Sequence, residues 1–585
     1  MKSLFLLLAL QSSEDPLADR CKKFSPYDSN GDGIAEIASL APIEGRSGGE
    51  KAPLLLVLVE ARLLADESLL PSLRRYAEDL VADGWDPRLV SAHLYSGDRH
   101  QDGRTLLAVR EFLRAVRDAR PNLRGAVLVG SFPEALLVRM YNWRKKGPLT
   151  LHKGKANERK FETPVDFVST APEIVAHRCE LILADLDGRW EDLYREERQR
   201  VPTLLAAFPG VVPPKGGIST DFEVGSRSFE DFFFVNDGRY ETSEILGPQS
   251  ETVALRFQPL DELQDSEGSA EDLRRKNPIA RPDIVVSRIN ARGIALKPRG
   301  ELLDSSGKPQ RAKFADAPKD LWEPDPTLER RLLVEYFERN HRFRQGEFAK
   351  QFLPASVAFK LGSGRGAVTR ASGEWIGEGH HLPKASVLDL VEWLRRPAVL
   401  RDVRAHSDRA GSVFDKADAE RILTACGSTP WDWTRKGDEY VPSLDRSAKG
   451  KADFVLYRTL WENRVLPDGA SFYYHTGCES ISPQHAEDRP YNHSEYGRKQ
   501  GAESILFYAQ GLALVGRSKV FYDAPRGFYE ALAEGRTFGE AWARYFEIES
   551  EAKSAEEVGG GIGRKRTYFW SVLGDWTLRL RPSSR

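Results

Sequence analysis

Cys478 and His406 are the residues whose types and settings in this sequence could do covalent chemistry. Upstream of the cysteine, Ala470 to Tyr474 reads as a short apolar and aromatic strand, bounded by Pro467-Asp468-Gly469. The small pair Thr476-Gly477 then delivers Cys478 where that strand should end. In an open α/β sheet the carboxyl ends of the strands are where ligands bind. A thiol so placed is a nucleophile if a base stands beside it. A second strand end, LRDVRAHSDRAG, offers His406 as that base. The two are far apart in the chain, so only the fold can bring them together. A lone cysteine is more often a small buried hydrophobe; the pairing with His406 sets Cys478 apart from that default.

The chemistry such a pair performs is thiolate attack on a carbonyl, with the histidine accepting a proton and later giving it to the leaving group. His475, three residues before the cysteine, reads as a packing or hydrogen-bonding residue rather than the base. Asp402 and Asp408 flank His406 and read as surface charges. His380-His381 with Glu374 and Glu378 invite a metal interpretation, but their spacing matches no helical HExxH pattern. A different metal signal lies in PYDSNGDGIAE. There Asp28, Asn30 and Asp32 place oxygen donors at alternate positions around glycines, as a calcium loop needs. Ser39 stands where an EF-hand would have its last glutamate, and an ion-free Asx turn fits the same residues. Cys21, Cys179 and Cys426 show no CxxC spacing and imply neither a thiolate metal site nor a disulfide framework.

The elements that must position these groups can be read from periodicity. APLLLVLVEA reads as a buried strand, LLPSLRRYAEDLVADGW as an amphipathic helix ending at Gly84, and RLVSAHLYS as a second strand. A further helix, RTLLAVREFLRAVRDAR, leads to a third strand in LRGAVLVG. Strands spaced by helices predict βαβ units and a parallel sheet. After an irregular, charged stretch come the strand RPDIVVSRINA, a polar linker from Pro298 to Pro326, and a long helix from Thr327. A second α/β series runs from SVAFKLGSG to the closing YFWSVLGDWTLRLRP. The chain has 585 residues, too many for one small core, with a net charge of −2 and 29% charged residues. Nothing global points to nucleic acid or an anionic membrane. The N-terminal MKSLFLLLALQSSEDP carries one positive charge and an apolar run, the pattern of a short signal peptide. No later segment approaches ~18 uninterrupted apolar residues, so no integral membrane segment is expected after signal removal.

Taken in order, several of these pieces resemble the gingipain-type cysteine peptidases of caspase-like fold. ADLDGRW resembles the Asp/Gly-rich turn before their specificity-domain strand, and RPDIVVSRINA resembles that strand, with Ser287 where glycine is usual. VRAHSDRAG resembles the histidine strand end and FYYHTGCES the cysteine strand end. GLALVGRSKVFYD with FYEALAEGRTFGEAW resembles the helix-strand-helix after the nucleophile; LGDWTLRL resembles the closing strand, with Trp576 for proline. The resemblance spans Pro53 to Leu580. It implies an α/β fold: a signal peptide over 1–20, a lead-in with the calcium loop over 21–50, an N-terminal α/β subdomain over 51–325, and a caspase-like catalytic subdomain over 326–585. It further implies a Cys478–His406 dyad needing no cofactor for catalysis, protein or peptide substrates, structural calcium, and a secreted or envelope location in a bacterium. The backbone N–H groups of Cys478 and Ser407 would form the oxyanion hole, although Ser407 stands where the family has glycine. Glu374 and Glu378 fall in the segment that helps build the specificity pocket, where a carboxylate would favour a substrate Arg or Lys. The alternative is a catalytically inactive, exported caspase-like protein with a binding or surface-assembly role.

Overall fold

An eleven-stranded sheet organises the described part of the molecule. In chain order its strands are β1 (Ile37–Pro42), β2 (Leu54–Glu60), β3 (Asp86–Leu94), β4 (Leu123–Val129) and β5 (Val285–Ile289). They continue with β6 (Ser356–Lys360), β7 (Gly379–Leu382), β8 (Leu400–Arg404), β9 (Ser471–His475), β10 (Gly511–Arg517) and β11 (Trp570–Gly574). The structure, a computed structural model, describes residues 16–49, 51–65, 67–95, 103–133, 135–144, 151–153, 159–161, 169–188, 190–193, 232–233, 281–300, 303–307, 312–313, 322–348, 356–360, 379–382, 387–404, 407–408, 411–412, 433–436, 439–442, 453–475, 477, 480–481, 501–518, 525–551 and 564–580.

Across the sheet the order is β1-β3-β2-β4-β5-β11-β10-β9-β8-β6-β7. Neighbours are parallel except at two places, β1 against β3 and β10 against β11. The fold is therefore α/β with a largely parallel sheet. The antiparallel β10–β11 pair divides it: β3, β2, β4, β5 and β11 run one way, and β10, β9, β8, β6 and β7 run the other. The carboxyl ends of β8, β9 and β10 thus emerge at the edge where β5 and β11 begin. One sheet draws strands from both the 51–325 and the 326–585 stretches.

The central strands are continuous apolar runs because both faces are covered. Six of the seven residues of β2 are buried, and all seven of β10. Helix α1 (Leu70–Ala82) stops where Gly84 takes φ +91°, a left-handed conformation that glycine adopts without strain. Helix α2 (Gly103–Ala119) comes after β3. Helix α3 (Pro326–Arg344) starts at Asp325, whose carboxylate accepts the Thr327 and Leu328 N–H groups, with Pro326 in the first turn.

Helix α3 also ties the two halves together. The Tyr336 hydroxyl donates to the Leu512 carbonyl, and the Asp575 carboxylate accepts from Asn340 Nδ2 at 2.8 Å and Arg344 Nη2 at 2.6 Å. The Arg344 guanidinium also reaches Asp83, beyond the end of α1, and His341 Nδ1 pairs with Asp79 at 2.7 Å. The Arg344 and Asp575 charges are buried against each other, the condition under which burial is tolerated. Trp576 is buried against Trp85, its Nε1 donating to the Ala126 carbonyl. Gly125 makes that possible: a Cβ there would lie 2.2 Å from the indole. The polar linker is anchored at both ends, since Leu296–Pro298 pairs antiparallel with Trp322–Pro324.

Candidate functional site

Strands β8 and β9 lie side by side and parallel, with Val403 opposite His475. The stems that lead to the two candidate catalytic residues therefore end together at one edge. His406 and Cys478 themselves, with Thr476 and Glu479, lie outside the described residues, as do Glu374 and Glu378. Ser407 is described: half-buried, it pairs with Ser412 in a short antiparallel hairpin whose second pair is Asp408 and Gly411.

The start of β8 is fixed by Arg401. Its buried guanidinium donates to the carbonyls of Trp393, Leu394 and Arg396 and, through Nε, to the Ser471 hydroxyl on β9. The three carbonyls close helix α4 (Val387–Arg395), so a cation satisfies the orphan acceptors and negative pole of its C-terminus. Asp402 corrects the sequence expectation. It is fully buried rather than a surface charge, because β8 is an interior strand flanked by β6 and β9.

The turn that leaves β9 is held from two sides. His475 Nδ1 accepts the Gly477 N–H at 3.0 Å, and the Gly477 carbonyl accepts Arg517 Nε–H at 3.1 Å. Beyond the cysteine, the Ser480 hydroxyl lies 3.3 Å from the His475 carbonyl and accepts the Arg517 N–H at 3.2 Å. The Ile481 N–H then donates to the Arg517 carbonyl. His475, Gly477, Ser480 and Arg517 are all buried. Burial and, after it, the Arg517 cation push the His475 imidazole down to about 3, so it stays neutral. It is the hydrogen-bonding residue that the sequence suggested. Gly516 leaves room for this return, since a Cβ there would stand 2.7 Å from both the Ser480 hydroxyl and Ile481. One strand position back, Tyr474 stacks on Trp570 at 5.8 Å and on Phe528 at 5.9 Å.

Among the described residues, two places with clustered oxygen donors bear on metal binding. In the Asp28 loop the carboxylates serve the backbone: Asp28 accepts N–H groups from Asn30, Gly31 and Gly33, and Asp32 accepts from Ile34. Asp32 Oδ2 also takes the Arg104 guanidinium at 3.1 Å, so a calcium ion on Asp28, Asn30 and Asp32 would compete with that cation. The second cluster was not foreseen. Asp185, Asp187 and Asp283 bring one carboxylate oxygen each within 4.8 Å of one another, and Arg117 pairs with Asp283 at 2.7 Å. An open cleft of about 490 Å³ adjoins it, lined by Arg114, Arg117 and Glu191 among others. The signal was present in ADLDG and RPD, but nearly a hundred residues separate the two segments. Arg517 was missed for a different reason: a charged residue closing an apolar strand reads as its exit to solvent.

No family model and no curated protein matches the chain. Among solved structures it is similar to the Arg-specific cysteine proteinase gingipain R, at 9% identity and a TM-score of 0.38, over 92% of this chain and 81% of that one. It is also similar to a structure described as a protease, at 10% identity and TM-score 0.39, over 90% and 78%. A complex of Porphyromonas gingivalis RgpB pro- and mature domains matches at 9% identity and TM-score 0.40, over 90% and 79%. Among the described residues no helix is long and apolar enough to cross a membrane.

Proposed function

We propose that the chain is an exported cysteine-type endopeptidase in which Cys478 attacks the peptide carbonyl and His406 handles the proton. The observation that supports this most is the register of β8 and β9. His406 and Cys478 each stand three residues beyond one member of the Val403–His475 pair. Neighbouring strands are ~4.8 Å apart, so segments leaving paired ends start within side-chain reach of one another. His475 supports the assignment by exclusion, because an imidazole lowered to about 3 has too little proton affinity to be the base.

The chemistry then runs in two balanced halves. His406 takes the thiol proton, the sulfur adds to the carbonyl carbon, and the carbonyl oxygen becomes an oxyanion facing the N–H groups of Cys478 and Ser407. The C–N bond breaks as His406 returns its proton to the leaving amine. Water, deprotonated by His406, then hydrolyses the thioester and restores the thiol. Glu374 or Glu378 would favour a substrate Arg or Lys by charge pairing. The substrates are proteins or peptides, and the setting is secreted or the cell envelope of a bacterium. A structural calcium on Asp28, Asn30 and Asp32 is a separate proposal, supported by the alternation of oxygen donors. Ser407 supports a second reading, an inactive protein with a binding or assembly role, because a side chain stands after the histidine where an unobstructed N–H would serve best.

Cys478→Ala should abolish peptide hydrolysis and covalent labelling together, and His406→Ala should cost about 10²–10⁴ in rate. Ser407→Gly should raise activity if the side chain obstructs the oxyanion site. No hydrolysis by wild type or Ser407→Gly on peptides with Arg, Lys, Asp or Leu at the cleavage position, with Cys478 unlabelled, would favour the inactive protein.

A further inference from the structure

The buried Arg517 guanidinium has a use beyond stabilising the turn. Its Nε–H is bound to the Gly477 carbonyl, and that carbonyl shares one peptide group with the N–H of residue 478. A peptide group is planar, and in the trans form its C=O and N–H point in opposite directions. A donor fixed on the oxygen therefore fixes the direction in which the N–H on the far edge points. It also polarises the group: a charged donor on the carbonyl draws electron density from the amide and makes its N–H a stronger donor. The preceding peptide is anchored separately, because the Gly477 N–H is bound to His475 Nδ1. Both peptide planes that meet at Gly477 are thus held by side chains, at a residue whose lack of Cβ would otherwise leave it free to rotate.

The supports are themselves enclosed. Arg517 is 3% exposed and His475 1% exposed. The Arg517 backbone is bound on both sides, its N–H to Ser480 and its carbonyl to Ile481, so the guanidinium and the far limb of the same turn share one anchor. A buried cation is expensive to place, and here its Nε serves a carbonyl on the nucleophile's turn.

We infer that Arg517, with His475, is a positioning residue that aims and strengthens the backbone N–H of residue 478 as an oxyanion donor, an inference that rests on Cys478 being the nucleophile. The group receiving that N–H would be the carbonyl oxygen of a scissile peptide bond as it becomes tetrahedral. Arg517 acts through the peptide and touches no substrate.

The test compares two near-isosteric replacements in the full chain. Arg517→Gln puts an amide nitrogen where Nε stood, keeping a donor without the charge; Arg517→Met fills the same space with no donor. The readouts are kcat and KM on a peptide substrate cleaved by the wild type, the rate of Cys478 alkylation by iodoacetamide, and Tm. Alkylation forms no oxyanion, so it reports the thiolate alone. Arg517→Met should lower kcat by about 10²-fold, the scale of removing one oxyanion donor, with KM and alkylation within about threefold. Arg517→Gln should recover at least about tenfold of that loss. Should Arg517→Met not fold, His475→Ala against His475→Asn poses the same question, because the Asn Oδ1 can replace Nδ1 as acceptor for the Gly477 N–H. The same loss in Ala and rescue in Asn are expected.

Failure of this inference and failure of the peptidase assignment separate cleanly. An active wild type whose kcat survives Arg517→Met overturns the inference alone. So does a loss in which alkylation falls in parallel, or in which Gln is no better than Met. A wild type that neither cleaves the peptides nor is labelled at Cys478 overturns the nucleophile assignment, and this inference with it.

Discussion

Two Asp/Gly turns in this protein use the same hydrogen bonds and hold their protons in opposite ways. In one, Asp185 accepts the Gly188 N–H at 3.1 Å and Trp190 Nε1–H at 2.9 Å. In the other, Asp32 accepts the Ile34 N–H at 2.9 Å and Asn30 Nδ2–H at 3.0 Å. Asp185 is buried, and that burial, with Asp187 hydrogen-bonded beside it, pushes its carboxyl up to about 7. Asp32 is exposed, and its carboxyl is held below the ordinary value by the Ile34 amide first, then Asn30, with Arg104 adding to both. Donors of the same kind favour the anion in both turns. What differs first is water, whose removal penalises the charged form, and then the neighbours, Asp187 beside one acid and Arg104 beside the other. A turn motif read from sequence therefore says how the backbone is folded and nothing about which side of neutrality its acid titrates.

The largest effect that could break this comparison is steric. A Cβ on Gly188 would sit 2.2 Å from Asp185 Oδ2 and 2.8 Å from Trp190 Nε1. Gly188→Ala should therefore expel the carboxylate from its bond with the indole and cost about 2–3 kcal/mol, overpacking and an unmet buried donor together. In the exposed turn a Cβ on Gly33 meets nothing within 4 Å, and the cost is only that of its φ of +85°. Gly33→Ala should lose about 1 kcal/mol. Urea-denaturation midpoints of the two variants measure both. A Gly188→Ala loss no larger than that of Gly33→Ala would mean that the buried turn relaxes freely, contrary to its close packing.

Next in size is the pH dependence, where the signs oppose. For Asp185 the folded value of about 7 lies above the unfolded one of ~4. Between those limits the native state holds a proton that the unfolded chain has released. Stability from this group is thus full below about 4 and declines as pH rises toward 7. For Asp32 the folded value is lowered, so its contribution is present above the ordinary carboxylate range and fades as pH falls below it. Asp185→Asn, which fixes the neutral form, should flatten the decline in urea midpoint between pH 4 and 7 measured in chelator. An identical slope in wild type and Asp185→Asn would sink the assignment of that proton to Asp185.

How far such features were legible depends on the distance over which their cause acts. The strands at β2, β4 and β10 were readable because a buried parallel strand writes itself as a local apolar run. The long helix α3 was readable because a polar linker gives way to a helical apolar stripe directly after Pro326. The reversal of the sheet between β10 and β11 was not, since pairing partners half a hundred residues apart leave no local mark. In the site, both strand ends could be found, whereas the roles of their charged residues could not. LRDVR reads as a solvent-facing alternation, yet the Arg401 guanidinium is bound by the carbonyls that end α4 and Asp402 is fully buried. Arg517 is the same lesson at the turn that leaves β9. Its meaning lies in the Gly477 carbonyl, which only the β9–β10 pairing brings to it.

The smallest effect expected concerns Arg104, and it sharpens the exposed side of the comparison. Its pair with Asp32 at 3.1 Å is open to solvent, and such pairs contribute little to stability. Arg104→Ala alone should therefore move Tm very little in chelator. The same guanidinium occupies Asp32 Oδ2, one of the oxygens a calcium ion on Asp28, Asn30 and Asp32 would need. If that ion binds, removing its competitor must strengthen binding, and a ligand that binds only the native state raises stability by RT ln(1 + [L]/Kd). Millimolar calcium should then raise the Tm of Arg104→Ala more than that of the wild type, and Asp32→Asn should abolish both shifts. A Tm indifferent to calcium in wild type and Arg104→Ala alike would leave the loop as an Asx turn closed by its own amides. Asp32 would then differ from Asp185 through its exposure, its Arg104 partner and the Asp187 carboxyl that stands only beside Asp185.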